Sequence, residues 1–503
     1  MFSIKNFKPR AYQENISKTC IKKNTLVVLP TGVGKTAISL MVAIDRLNNI
    51  PNSKVLICSP TKPLCQQHVN TFIEHTTIPS SRIIIYTGAM QPKVRKKFWD
   101  VGLIIIATPQ TIQSDVENSR ISLDDVSLLV IDEAHRSRMK FANTVIAKAY
   151  MESQCKTKHI LALTASPGHT KEKINEICTN LFIDDVEVRT DQDDDVKNYI
   201  QSREYDLIEV ELPDNIKKIH KLLHDVYVEK VKKLSRVGFR KPASVTSKKD
   251  LLAVQIRLRQ EIIKKNASAF YGISVVAQAL KVDYAMELLE TQGIEQALNY
   301  LNQLKDESSK AAKAVCDDKA ILEAISILQS LTKAGVVHPK MIVFKNLLSE
   351  QFLQNPNSKT IVFANYRSTV DSLVKIAESV NGARPVKLMG QKEGITQKQQ
   401  INTIKQLESG KYNVIVATSI GEEGLSIEGL DLAMFYDHVA SAVRRIQRAG
   451  RVARIKPGRI VYIVTKNTRD SAFFWKSRKD EKTMSTVLQD IKKSLKDNTL
   501  EKF

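Results

Sequence analysis

Three short strings hold residue types that could act together on a phosphate anhydride. In LPTGVGKT, Leu29 to Thr36, Gly32 and Gly34 let the backbone curl so that successive N–H groups, those of Thr31 and Val33 among them, converge on phosphate oxygens. A helix that starts directly behind them adds the positive end of its dipole. Lys35 would then reach the β- and γ-phosphates and the Thr36 hydroxyl would bind Mg2+. The eight-residue pattern usually opens on Gly or Ala and here opens on Leu29. In LLVIDEAH, Asp132 and Glu133 close an apolar run, a place at the carboxyl edge of a parallel sheet where ligands bind. Asp132 would hold Mg2+ through its water shell, and Glu133 would orient and deprotonate the water that attacks the γ-phosphate. His135 is placed to link that site to an opposite lobe. The third string, QRAGRVAR, runs from Gln447 to Arg454. Arg451 and Arg454 lie three residues apart on one helix face, and guanidinium forks suit the charge that develops on a γ-phosphate.

Such residues need rigid elements to hold them. From Thr25 to about Ser166 the runs TLVVLP, KVLICSP, RIIIYTG, LIIIATP, LLVIDEA and HILALTAS are apolar throughout and separated by helix-length segments. That pattern predicts buried parallel strands with helices on both faces. The texture returns from Lys359 in KTIVFAN, PVKLMG, NVIVATS, LAMFYD and RIVYIVT. The fold class expected is α/β, with two doubly wound parallel-sheet lobes and a helical domain inserted between them. Residues 1–200 form the first lobe, 201–337 the insert, 338–480 the second lobe and 481–503 a Lys-rich helical tail with a frayed end. The first half of the insert is basic, with Lys232, Lys233, Arg236 and Arg240 among its cations.

Composition sets the outer bounds. The 503 residues are 43% hydrophobic and 26% charged, which excludes a small module and wholesale disorder. A formal charge of +22 favours a polyanionic partner through counterion release. Aromatic residues are 6% of the chain, which argues against base stacking as the main grip. The six cysteines, Cys20, Cys58, Cys65, Cys155, Cys178 and Cys316, include no C-x-x-C pair, so a zinc site is not expected. With no signal peptide and no apolar run of ~18 residues, the expected compartment is the cytoplasm and no membrane is expected as a partner.

Taken in order, the strings resemble superfamily 2 nucleic-acid helicases and translocases. Between the phosphate loop and DEAH lie SPTKPLCQQH, the YTG at Tyr86 and ATPQTI, similar to that family's first-lobe strand-binding motifs. The TAS at Thr164 to Ser166 resembles the element that couples hydrolysis to lobe movement. IVFANYR, ATSIGEEGLSI and QRAGRVAR are similar to the fourth, fifth and sixth motifs. A narrower resemblance, carried by HPKM at His338, by VATSIGEEGLSI and by NTRDSAFFWKSRKDEK from Asn467, is to the archaeal Hef helicases and the Fanconi anaemia M protein.

The resemblance implies RecA-like lobes, ATP and Mg2+ as cofactors, and DNA that is forked, branched or duplex as partner. It implies Arg10 and Gln13 at the adenine, Gly424 at the nucleotide, Gln447, Arg451 and Arg454 as catalytic partners of Lys35 and Glu133, and Thr164 and Ser166 with His135 in coupling. Strand contacts fall to Ser59, Thr61, Gly88, Thr108, Asn365, Arg367 and Thr418. Many Hef proteins continue into a nuclease domain with an E-R-K motif; no E-R-K string occurs in these 503 residues, so nuclease activity is not expected of them. Two other readings stay open: an RNA-dependent ATPase of the RIG-I-like type, and a scaffold in which ATP only gates binding.

Overall fold

The computed structural model describes residues 1–139, 141–199, 203–390, 396–418, 429–449 and 458–496, with backbone alone for Gln397, Gln447 and 492–496. Gly424, Arg451 and Arg454 lie outside the described residues, as does the Gln447 side chain.

Among the described residues thirteen strands form two sheets, both parallel. The first lobe holds β1 (Thr25–Val28), β2 (Lys54–Cys58), β3 (Ile83–Tyr86), β4 (Ile104–Ala107), β5 (Val126–Asp132), β6 (Ile160–Thr164) and β7 (Asp185–Val188), in the order β3-β4-β2-β5-β6-β1-β7. The second holds β8 (Arg203–Val210), β9 (Thr360–Phe363), β10 (Pro385–Leu388), β11 (Val414–Ala417), β12 (Leu432–Phe435) and β13 (Gly458–Thr465), in the order β10-β11-β9-β12-β13-β8. The strands read as apolar throughout because both faces are covered. Leu26, Val28, Leu56, Leu129 and Ile131 fill one core, while their alternates Val27, Val55, Ile57, Leu128 and Val130 fill the other. The second sheet is sandwiched in the same way, with Val362, Val416 and Met434 on one side and Ile361, Phe363 and Phe435 on the other.

The insert has its own core. The helix Ala267–Thr291 runs through it between Asp214–Lys233 and Lys248–Ile263, and its buried positions go round the helix, as expected of a core helix. Its C-terminal end docks on the second lobe through polar groups. Arg469 Nη2 donates to Asp283 Oδ1 at 2.7 Å, Gln292 Nε2 to Asp437 Oδ1 at 3.2 Å and the Tyr366 hydroxyl to Glu287 Oε1 at 2.7 Å.

Two boundaries differ from the sequence expectation. Residues 203–210, expected to open the helical insert, are the edge strand β8, paired along its whole length with β13. The chain therefore enters the second lobe before it makes the insert, and both ends of the insert are rooted there. The division at 480 and 481 also falls inside one helix, Arg469–Lys496. Its start is fixed in the second lobe, where Asp470 meets Lys340 at 3.0 Å. Its far end buries Met484, Leu488 and Ile491 in the core of the first lobe beside Ile174, Ile177 and Val186. A stripe spaced four and three residues apart thus makes this segment a strap between lobes.

Candidate active site

The phosphate loop leaves β1 and ends at Gly34, the N-cap of the helix Lys35–Asn49. Gly32 and Gly34 have φ of 88° and 85°, a region that L-residues seldom adopt. A Cβ on Gly34 would also stand 2.6 Å from Gln13 Nε2. Lys35 Nζ rests on the carbonyl oxygens of Leu29 and Pro30 at 3.3 and 3.4 Å, which places an ammonium inside the curl. Thr36 is the second residue of the helix and Thr31 and Val33 form the loop.

Gln13 and Arg10 lie beside this loop, and their polar groups are engaged within the protein. Gln13 Oε1 accepts from the Arg10 N–H at 2.9 Å, and Nε2 donates to the Val33 and Gly34 carbonyls at 3.2 and 3.4 Å. The Arg10 guanidinium stacks on the Tyr199 ring, 4.3 Å from its centroid. Both would have to exchange these partners to meet a purine edge.

Asp132 ends β5, the middle strand of the first sheet, and is 8% exposed. Its Oδ2 accepts from the Ser59 hydroxyl at 3.0 Å and lies 3.0 Å from His68 Nε2, while Oδ1 accepts from the Glu133 N–H at 3.0 Å. Burial pushes its carboxyl up, but the His68 hydrogen bond, the nearby Lys35 ammonium and the Ser59 hydroxyl are among the contacts that outweigh it and hold the group below its ordinary value. Glu133 sits at φ 53°, ψ 50°, a left-handed conformation that costs a non-glycine residue about 1–3 kcal/mol and is found at functional sites. His135 Nδ1 lies 3.3 Å from Glu133 Oε2 and 3.2 Å from Thr164 Oγ1. Thr164 Oγ1 in turn accepts from the Ser166 N–H at 3.2 Å. These described bonds of His135 stay within the first lobe, where the expectation was a link across the cleft.

The donor set suits a Mg2+–nucleotide: a carboxylate held below its ordinary value at Asp132, the Thr36 hydroxyl, an ammonium at Lys35 resting on the loop carbonyls and a loop curled at two positive-φ glycines. Among the described residues the buried Ser166 hydroxyl has no hydrogen-bond partner, so a polar atom at this edge is available.

The strand-contact residues divide. Thr61 caps the helix Lys62–His75, its hydroxyl accepting from the Leu64 N–H at 3.4 Å. Gly88 is exposed beyond β3, and Thr108 is the residue before the helix Pro109–Glu117, its hydroxyl 2.8 Å from that of Thr111 rather than on a backbone N–H. All three follow neighbouring strands and share one sheet edge. Ser59 does not join them: it is fully buried and spent on Asp132. In the second lobe Arg367 is exposed, whereas Thr418 is buried. Asn365 is tied down, its Nδ2 donating to the His438 carbonyl at 3.3 Å and its Oδ1 accepting from Arg448 Nη2 at 2.9 Å. In the insert, Lys232, Arg236 and Arg240 are exposed, while Lys233 pairs with Glu229 one turn back.

Two participants escaped the sequence reading. His68 is buried against Asp132; its only signal was a place two turns after Thr61 in SPTKPLCQQH. Arg448, inside QRAGRVAR, is 1% exposed and also donates to the Asp437 carbonyl at 3.1 Å, so it anchors the helix Ala442–Ala449 that carries Gln447.

Family models match in the same order. A DEAD/DEAH box helicase domain matches residues 10–174, a helical bundle of ATP-dependent RNA helicases 215–335, and a helicase conserved C-terminal domain 340–456. A protein of Methanocaldococcus jannaschii named as ATP-dependent RNA helicase MJ1505 is 36% identical over 97% of this chain and 61% of its own length. The ATP-dependent DNA helicase mph1 of Neurospora crassa is 31% identical over 92% of the chain and 41% of its own length. The chain thus spans about 40–60% of these curated relatives. The crystal structure of the Pyrococcus furiosus Hef helicase domain superposes with a TM-score of 0.73 at 40% identity, covering 93% of this chain and 98% of that one. With the phosphate loop, the DEAH strand end and the inserted bundle all in place, the chain belongs to the Hef family of helicases.

Proposed function

We propose that this chain is an ATP-driven motor that moves on DNA, with forked or branched DNA as its substrate. One observation carries the reading. β5 is the fourth of seven strands, with β6 and β1 on one side and β2, β4 and β3 on the other. The two acids of the DEAH string therefore stand between the phosphate loop and the three strand-contact loops.

In this site Lys35 and the loop N–H groups bind and orient the phosphates, and Asp132 with Thr36 holds the divalent ion. An ion held there by Asp132 and Thr36 would supply positive charge against the charge that develops on the phosphates. Glu133, held in its strained conformation, aligns the attacking water and takes its proton. The His135–Thr164–Ser166 chain connects Glu133 to the end of β6. Lys232, Arg236 and Arg240 of the insert add sequence-independent phosphate contacts.

The choice of DNA rests on the DNA helicases among the relatives, mph1 and the fml1 protein of Schizosaccharomyces pombe. The RNA reading has the name of MJ1505 and that of the Arabidopsis thaliana DEAD-box ATP-dependent RNA helicase FANCM behind it. Steady-state ATP hydrolysis on single-stranded DNA, linear duplex, forked duplex and duplex RNA, with Glu133→Gln as the blank, separates them. Strongest stimulation by the fork is the expected result. Strongest stimulation by duplex RNA would replace the DNA reading, and equal rates for wild type and blank would remove the motor.

A further inference from the structure

The helix Lys62–His75 begins on the strand-contact edge, capped by Thr61, and two turns later it presents His68 to the hydrolytic site. His68 is 4% exposed, and its Nε2 lies 3.0 Å from Asp132 Oδ2. Ser59, the residue directly after β2, donates to the same oxygen at 3.0 Å. The segment from 59 to 68 thus grips one carboxylate oxygen at both of its ends, and the other oxygen is taken by the Glu133 N–H. A carboxylate held in this way keeps one rotamer, and any shift of the helix reaches it through the His68 ring.

Packing alone does not explain a histidine here. Among the described residues its buried Nδ1 has no hydrogen-bond partner, and an unpaired buried polar atom costs stability that an apolar side chain of the same volume would not. With a carboxylate as its neighbour, Nε2 is the donor, so it is the Nε2 bond that the histidine contributes.

Resting on the roles proposed above for Asp132 and Thr61, we infer that His68 is a positioning residue: it fixes Asp132 for the divalent ion and couples that carboxylate to strand occupancy at the other end of its helix. Outer partners of metal-holding carboxylates are worth about 10–100-fold in metal affinity or activity.

The experiment compares wild type with His68→Asn, which is too short to reach Oδ2, His68→Met, which fills the buried volume without a donor, and His68→Gln, whose Nε2 stands near that of histidine. Two quantities are read on each folded variant: the MgCl2 midpoint for binding of a fluorescent ADP analogue, and the ratio of ATPase rates with and without forked DNA. Asn and Met should raise the Mg2+ midpoint about 10–100-fold and bring the rate ratio towards one, while Gln keeps both near wild type. If either Asn or Met folds with the wild-type melting temperature and keeps both the wild-type midpoint and the wild-type ratio, the inference is overturned. A wild-type protein stimulated by no nucleic acid would instead remove the motor reading, and the Mg2+ midpoints would still decide the positioning role.

Discussion

Replacing Asp115 by leucine should be among the most damaging single changes in the first lobe. Its carboxylate, fully buried, accepts from the Tyr86 hydroxyl at 2.8 Å, from Arg95 Nε and Nη2 at 2.7 Å each, and from Arg120 Nη1 at 2.8 Å. These bonds tie the end of β3 and the helix Pro92–Val101 to the helix Pro109–Glu117, so they brace the elements next to Gly88 and Thr108 in the chain. Arg95 is 6% exposed, and removing its partner leaves a buried guanidinium uncompensated, at about 3–5 kcal/mol. For a lobe of roughly 200 residues, at ~2–4 °C per kcal/mol, the expected fall in Tm is roughly 6–20 °C. The double variant Arg95→Met, Asp115→Leu removes both charges. Arg120, whose side chain is 34% exposed, can turn to solvent, which leaves mainly the Tyr86 hydroxyl unpaired, at about 1–3 kcal/mol. Scanning calorimetry of wild type, single and double variants reads the difference. A double variant that melts no higher than the single would refute the argument that the stranded guanidinium carries the cost. Burial opposes ionisation of Asp115, but Arg95, Arg120 and Tyr86 hold its carboxyl below the ordinary value. The contribution is therefore present at neutral pH and lost as pH falls through the carboxylate range.

Lys35→Ala should abolish turnover and weaken nucleotide binding, whereas Glu133→Gln should lose turnover by at least about 100-fold with binding retained; ADP-analogue titration beside steady-state rates distinguishes them. Asp437 is raised to about 6, chiefly by burial. Its effect on stability is most favourable below its unfolded value of ~3.9 and is lost as pH rises through 6, so Asp437→Asn should flatten a decline in the urea midpoint between pH 4 and 7. Ile491→Ala, at a residue 1% exposed, should weaken docking of the C-terminal strap by about 2–5 kcal/mol, seen as faster amide exchange along residues 484–491 with β1 and β2 unchanged.

The two sheets and the phosphate and DEAH strings were legible because each is local: strands buried on both faces are apolar in every register, and a loop that cradles phosphate must carry glycines where φ is positive. What escaped depends on distant partners. β8 reads REYDLIEV, with Tyr205 54% exposed, and a half-solvated edge strand carries little apolar signal. Ser59 stood among strand contacts by its motif, but Asp132, 73 residues on, claims its hydroxyl. Met484, Leu488 and Ile491 stand at helical spacing in the tail read only as Lys-rich, and among so many lysines nothing local says that they are buried, still less against which lobe.

Because β8 precedes the insert and the helix Pro339–Gln354 and β9 follow it, the bundle is a cantilever clamped at both roots to one lobe. Its Ala267–Thr291 helix has 25 residues, an arm of ~37 Å at 1.5 Å per residue. A turn of the second lobe by about 5° would sweep the far end of such an arm through ~3 Å. A small rotation of that lobe would thereby be magnified at the tip of the bundle.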